Sequence, residues 1–220
     1  MPDSYATIAR SATAEIEVKR SRFLSFVVRV EDDSSARAVI IEARKRHHDA
    51  QHHCSAFVLG PDSAIQRTND DGEPSGTAGA PMLDVLIGRG VSDVVAVVTR
   101  YFGGTQLGAG GLVRAYGDAV AAALDEASLQ YRQLQQLFEV TVSTADAGRL
   151  DNQLRTIVTV RGVAYGPEAV FTVAVPMTEA PAFGAKVAEF SAGAAQLLET
   201  GEDWIDVSAR AYLRGREALG

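Results

Sequence analysis

The chain has 220 residues, of which 46% are hydrophobic, with 20 glycines, a single cysteine and a formal net charge of −7. That length fits one large domain or two small ones. There is no run of about 20 apolar residues to span a membrane, no basic-then-apolar leader after Met1-Pro2-Asp3-Ser4-Tyr5, and no second cysteine for an internal disulfide, so a cytoplasmic protein is expected. The charge also argues against a generic polyanion binder: there are 14 basic against 17 acidic residues before Glu139, and 7 against 11 from it onward. A local basic patch at Lys19, Arg20 and Arg22 stays open.

In chain order, residues 15–30 alternate polar and apolar around Phe23, Phe26, Val28 and Val30, which reads as one or two strands broken near Arg20-Ser21. Asp32-Asp33-Ser34 offers an N-cap, and Ala36, Val39, Ile40 and Ala43 follow at helical spacing up to His47. Arg44, Lys45 and Arg46 then suit a helix C-terminus, where cations are favoured. Residues 54–59 are strand-like and stop at the turn signal Gly60-Pro61-Asp62, with residues 64–68 pairing back. Residues 69–76 form a polar loop, and residues 77–87 a short helix that tolerates Pro81 near its start. Residues 93–99 are almost wholly apolar or β-branched, as in a central strand buried on both faces. A long helix covers 108–127, Ala-rich in the middle, which permits close packing on a sheet.

The pattern then restarts. Strands are expected at 137–142, 158–164 and 169–175, helices at 146–158 and 179–192, and closing strand segments at 196–200 and 204–207. This strand-helix-strand-strand-helix-strand order is a ferredoxin-like unit. The polar stretch Gln130-Tyr131-Arg132-Gln133 reads as the link between two domains, placed at 1–134 and 137–220.

Two glycine-rich segments stand out. One is Asp70-Asp71-Gly72-Glu73-Pro74-Ser75-Gly76-Thr77-Ala78-Gly79-Ala80-Pro81. The other runs Thr99-Arg100-Tyr101-Phe102-Gly103-Gly104-Thr105-Gln106-Leu107-Gly108-Ala109-Gly110-Gly111-Leu112-Val113-Arg114-Ala115-Tyr116. Each lies where a strand or loop gives way to a helix, whose first N–H groups favour anions. Neither is a P-loop or a dinucleotide fingerprint. The glycines serve either tight turns and close packing, with positive φ or close backbone contact in the Gly103-Gly104 and Gly110-Gly111 pairs, or a binding surface. Arg100 and Arg114 are the candidate anion clamp. Asp70, Asp71 and Glu73 are candidate acid–base or cation-binding carboxylates, or simply loop-capping groups. Ser75, Gly76, Thr77, Tyr101, Gly103, Gly104, Gly108, Gly110 and Gly111 complete the candidate surface.

All four histidines fall at 47, 48, 52 and 53 beside Cys54. A metal reading competes with a polar helix-to-strand connection. His52 and Cys54 share a face of an extended segment, so they are either a nucleophile pair or a partly polar core edge. No cofactor is expected.

These segments, with Lys19-Arg20-Ser21-Arg22-Phe23 and His52-His53-Cys54-Ser55-Ala56, closely resemble the IMPACT/YigZ family over residues 15–130. The resemblance implies an α+β chain of two domains. The first is a mixed sheet with helices on one face, like the second domain of a small-subunit ribosomal protein and domain IV of elongation factor G. The second is ferredoxin-like, similar to domain V of that factor. Eukaryotic relatives regulate translation by binding the activator of a starvation-responsive kinase, through regions that include a domain absent here. The resemblance therefore points to a non-enzymatic protein that contacts RNA, the ribosome or a translation factor and modulates translation. The alternative is an enzyme or binding protein for a small phosphorylated or carboxylated ligand. There, Asp71 or Glu73 would move the proton, with Thr77 or Ser75 as a further ligand group. Two positions depart from the family pattern. Ala80 and Gln106 stand where many relatives carry a basic residue, and each removes a cation from the glycine-rich surface.

Overall fold

The computed structural model describes residues 3–212. The chain divides into two compact units: the first runs to Tyr131 and also takes Ser208 onward, and the second is Arg132–Val207. The architecture is α+β.

The first unit holds β1 (Ser4–Ile8), β2 (Ala12–Val18), β3 (Ser21–Arg29), α1 (Asp33–Arg46), β4 (His52–Leu59), β5 (Ile65–Asn69), α2 (Gly79–Gly88), β6 (Val94–Tyr101) and α3 (Ala109–Glu126). Its sheet has the order β2-β3-β6-β4-β5. The centre is β6, whose valine-rich run is buried on both faces, as its sequence predicts. β6 pairs antiparallel with β3 and with β4, and both outer pairs are antiparallel too. The sheet is therefore antiparallel rather than mixed.

Helices cover both faces rather than one. Ala56, Val58, Val94, Ala96 and Val98 face α2 and α3, which contribute Met82, Leu86, Leu112, Ala115 and Tyr116. Phe57, Leu59, Val95 and Val97 face α1 through Ala36, Val39, Ile40 and Ala43. The alternation of strand side chains feeds two cores, and a single helix covers the second. Asp32 caps α1 as expected, accepting from the Ser35 N–H at 2.7 Å in a reciprocal capping box.

The second unit comprises β7 (Leu129–Ser143), α4 (Ala147–Ile157), β8 (Thr159–Tyr165), β9 (Glu168–Pro176), α5 (Ala180–Ser191) and β10 (Gln196–Val207). Its strands lie in the order β10-β7-β9-β8, the arrangement of a ferredoxin-like unit. Phe138, Val140, Phe171 and Val173 pack on Leu150, Leu154, Phe183 and Val187. Two expectations are corrected. Residues 130–136 are strand rather than loop, part of the 15-residue β7, and the boundary between the units falls inside that stretch, after Tyr131; residues 196–207 form one strand, not two. The glutamines that gave the stretch its polar look are folded into it: Gln133, Gln135 and Gln136 are buried, and Gln135 Nε2 donates to Gln133 Oε1 at 3.2 Å.

One glycine of the second motif is sterically required. A Cβ on Gly103 would lie 2.1 Å from the Arg20 carbonyl carbon, because the β6–α3 loop lies against the β2–β3 turn. That turn places Lys19 and Arg20 at φ 47° and 65°, with Val18 opposite Ser21. The two-residue loop thus needs left-handed backbone at both positions. Gly104 has φ 82°, so the Gly103-Gly104 pair meets the expectation for both reasons. In contrast, Gly110 has ordinary helical backbone, and a methyl group there would meet nothing within 4 Å. Gly103→Ala should lower the melting temperature markedly. Gly110→Ala should leave it unchanged or raise stability by about 0.5–1 kcal/mol through helix propensity. Thermal melts of the two variants check both.

Candidate functional site

The two glycine-rich segments meet at the end of the sheet where β6 runs out, and a buried ion pair joins them. Strand register puts Arg100 opposite Phe23 on β3 and opposite His52 on β4. Its side chain therefore points to the α3 side of the sheet, with Val98 and Ala96. There Arg100 Nη1 donates to Glu73 Oε1 at 2.6 Å, and both side chains are almost fully enclosed. The guanidinium lies 5.4 Å from the Phe23 ring centroid and 5.5 Å from that of Phe102. Its Nη2 lies 3.4 Å from Ser21 Oγ, which also accepts from the Gly103 N–H at 3.1 Å.

Glu73 draws a third element in. Tyr116 O–H donates to Glu73 Oε1 at 2.7 Å, and His52 Nε2 lies 3.9 Å from the same oxygen. Tyr116 sits on the apolar stripe of α3 with Leu112, Ala115 and Ala119, edge-on to Phe23 at 5.2 Å. Burial, and after it the neighbouring Cys54, push its phenol well above the usual range, so it stays a donor.

The β5–α2 loop is built on its aspartates. Asp70 Oδ1 accepts from the N–H groups of Ala78 (3.0 Å) and Gly79 (2.8 Å), and Oδ2 from Gly76 (2.8 Å). Asp70 thereby caps α2, whose own N-cap, Ala78, has no side chain to do so. Burial works to raise its pKa, but the three backbone N–H groups outweigh it and hold the carboxyl below the usual range. Asp71 behaves likewise. Burial is outweighed by Arg44, 2.8 Å away, and by the His53 N–H at 2.7 Å. Thr77 Oγ1 donates to the Pro74 carbonyl at 2.6 Å. Ser75 and Gly76 are exposed, with Gly76 at φ 76°.

The sequence-derived candidates thus separate into framework and surface. Asp70, Asp71, Glu73, Thr77 and Arg100 are held by one another, by neighbouring side chains or by the backbone. Arg114 is exposed on the opposite side of α3 from Tyr116, so Arg100 and Arg114 do not form a clamp. Cys54 is buried. Its thiol donates to the Asp70 carbonyl at 3.0 Å and lies 3.3 Å from the Tyr116 oxygen. Burial pushes it up to about 12, against a smaller downward effect from Tyr116, so it is a core residue and not a nucleophile. His52 donates to the Asp71 carbonyl through Nδ1 at 2.8 Å. Among the described residues no group of three or more His, Cys, Asp or Glu is placed to hold a metal, and the histidine cluster is a polar helix-to-strand connection. His53 Nε2 donates to the His47 carbonyl at 3.0 Å. Tyr101 points to the α1 side, its hydroxyl bridging His47 Nδ1 (3.0 Å) and Asp49 (3.2 Å).

Beside the ion pair lies a cleft of about 370 Å³ lined by His52, Glu73, Arg100, Phe102, Gln106 and Gly108, with the first turn of α3 as its floor. Gly108 caps α3 at φ 73° with no side-chain hydrogen bond. Phe102 is 48% exposed. Sequence reasoning missed Phe102, Ser21 and Tyr116. Tyr116 was detectable as a phenol on a buried helical stripe, because such a hydroxyl must find a partner.

Two glycine-rich loops closed over a buried ion pair, on an α+β chain of two units, are the class of protein this geometry defines. A family model described as the Impact N-terminal domain matches residues 19–124. The chain is 39% identical over 200 residues to "IMPACT family member YvyE" of Bacillus subtilis, covering 90% of this chain and 92% of that one. It is 38% identical over 205 residues to "IMPACT family member YigZ" of Escherichia coli, covering 89% and 98%. A "Protein IMPACT homolog" of Saccharomyces cerevisiae is 30% identical over 103 residues, covering 44% and 39%. A solved structure titled "Crystal structure of an hypothetical protein" is 36% identical and superposes with a TM-score of 0.63, covering 92% of this chain and all of that one. The chain belongs to the IMPACT family.

The loop's dependence on Asp70 gives a pH signature. A carboxyl whose pKa is depressed on folding adds stability above its unfolded pKa, near 3.9, and that stability disappears as pH falls through the lower folded value. Asp70→Asn should cost about 1–3 kcal/mol at neutral pH. The gap to the parent chain should narrow on acidification below the ordinary carboxylate range. Denaturant melts at neutral and acidic pH measure it.

Proposed function

We propose that this chain is a cytoplasmic, non-enzymatic binding protein that contacts RNA of the translation machinery through the glycine-rich end of its first unit. The observation that carries the reading is the exposed Phe102 set beside the left-handed Lys19-Arg20 turn. Arg20 reaches the same loop, its Nη2 3.5 Å from Thr105 Oγ1, and Gly103 fits against its backbone. Exposed cations next to an exposed aromatic ring suit single-stranded nucleic acid, where backbone charge and base stacking act together. Left-handed backbone at two non-glycine residues is strain that a functional turn can retain. The engagement of Asp70, Asp71, Glu73 and Cys54 in framework bonds supports binding over catalysis. The resemblance to domains of elongation factor G supports the translation machinery as the setting. The absence of a large basic field, with Ala80 and Gln106 in place of cations, fits a weak and salt-sensitive contact.

Ribosome co-sedimentation and RNA filter binding across a salt series test this. Binding is expected at low salt and should weaken steeply toward physiological salt. Lys19→Glu with Arg20→Glu should lower affinity across RNA sequences and reduce the salt slope by about 2. No binding to ribosomes or RNA even at low salt would overturn it. Retention on ribosomes without salt dependence would shift the reading to a protein factor.

A further inference from the structure

We propose that the groove between α1 and the β2–β3 side of the first sheet binds a small, uncharged apolar molecule carrying one hydroxyl group. It lies on the sheet face opposite the glycine-rich cleft, so it stands or falls apart from the RNA reading.

The groove follows from the way one helix covers this face of a five-stranded sheet. α1 packs on β6 and β4, and beside it the same face of β3 and β2 is open. The register aligns Glu15, Leu24 and Thr99 in one row across β2, β3 and β6, and Thr13, Phe26 and Val97 in the next. Strand alternation turns both rows to the α1 side. Leu24, Phe26 and Val97 form the floor, Val39 and Ala43 of α1 form the wall, and the cavity measures about 650 Å³. That is within the roughly 300–1,000 Å³ of small-molecule sites, which are mostly apolar with a few placed polar groups. Leu24 and Phe26 are only half-buried, so an apolar body seated here would take their remaining surface out of water.

The polar group that selects the ligand is the Thr99 hydroxyl. Thr99 lines the cavity and is 3% exposed, yet its side chain makes no hydrogen bond among the described residues. Its oxygen is not one of the atoms enclosed by protein without a partner, so it still reaches the cavity. A buried hydroxyl normally has a partner, and as both donor and acceptor it suits another hydroxyl. His47 lines the same cavity. Tyr101 O–H donates to Asp49 and so accepts from His47 Nδ1, which leaves the neutral ring with Nε2 as a second acceptor.

The rim argues for a neutral ligand. Glu15 is held by Arg22 at 2.5 Å, and Glu42 by Arg46, one helical turn on, at 3.7 Å. Each carboxylate at the mouth has its own cation. A charged ligand would therefore meet no unpaired opposite charge and would lose its hydration on entering.

The experiment titrates the full chain with four indoles that differ in one substituent: tryptophol, which ends in a hydroxyl; skatole, which has none; tryptamine, a cation; and indoleacetate, an anion. Amide NMR shifts and equilibrium dialysis report binding. Tryptophol should bind with a Kd below about 1 mM and shift the amides of Leu24, Phe26 and Val39. Tryptamine and indoleacetate should bind more weakly by about tenfold or more. Thr99→Val keeps the shape and removes an unpartnered hydroxyl, so the chain should melt no lower. It should weaken tryptophol about fivefold and leave skatole unchanged. Ala38→Phe projects into the groove from the exposed flank of α1 and should exclude tryptophol and skatole alike. No shift with tryptophol or skatole at millimolar concentration, a charged indole binding as tightly as tryptophol, an unchanged tryptophol-to-skatole ratio in Thr99→Val, or unchanged binding in a stable Ala38→Phe would each overturn the proposal. A concentration-dependent dimer that Ala38→Phe abolishes would give the face to a second copy of the chain and overturn it as well.

Discussion

The glycine-rich end of the first unit depends on one enclosed charge. Arg100 leaves a strand buried on both faces and cannot reach bulk water, so its guanidinium needs an anion beside it. Glu73 supplies that anion from a loop 27 residues earlier. Its carboxylate also accepts a hydrogen bond from the Tyr116 hydroxyl, so strand, loop and helix converge on a single oxygen. Arg100, Glu73, Tyr116, Ser21 and Gly103 together set where the two glycine-rich segments lie. Asp70 does the complementary task, folding the chain between Gly76 and Gly79 around its own carboxylate.

This arrangement separates what holds the site from what faces outward. The charged residues that looked most chemical are consumed in scaffolding, and the outward surface is made of groups with little chemical signature: an exposed phenylalanine, bare backbone N–H groups and a two-residue basic turn. In the binding role proposed above, such a surface would recognise by shape, stacking and backbone donors, which do not depend on a large positive field.

Much of the fold was legible because its signals are local. The valine run of β6, the Asp32 cap, the Gly60-Pro61-Asp62 turn and the strand-helix cycle of the second unit all follow from short-range periodicity and turn chemistry. The errors came from long-range facts. The two-sided helix cover reflects how β4 and β6 alternate into two cores, and the antiparallel pairing depends on partners distant in sequence. Gln130–Gln136 looked like a linker because glutamine is polar; in the strand those amides bond to each other and to backbone, as Gln136 Nε2 does to Gly201. At the site, both glycine motifs and Arg100 stood out, but the Arg100–Glu73 pairing did not. Arg114 was paired with Arg100 although the helical phase of Leu112, Ala115, Tyr116 and Ala119 puts it on the solvent side of α3. Phe102 was overlooked because an aromatic beside a buried strand reads as core.

The central claim is that the Arg100–Glu73 pair is the structural tie of the site. The most direct measurement is a double-mutant cycle in denaturant unfolding with Arg100→Met, Glu73→Gln and the double variant. Glutamine keeps an acceptor for Tyr116 while removing the charge. Arg100→Met should cost about 3–5 kcal/mol by stranding a buried carboxylate. The double variant should regain part of that loss, with a coupling above about 1.5 kcal/mol. Additive single effects, or an Arg100→Met chain as stable as the parent, would contradict the account.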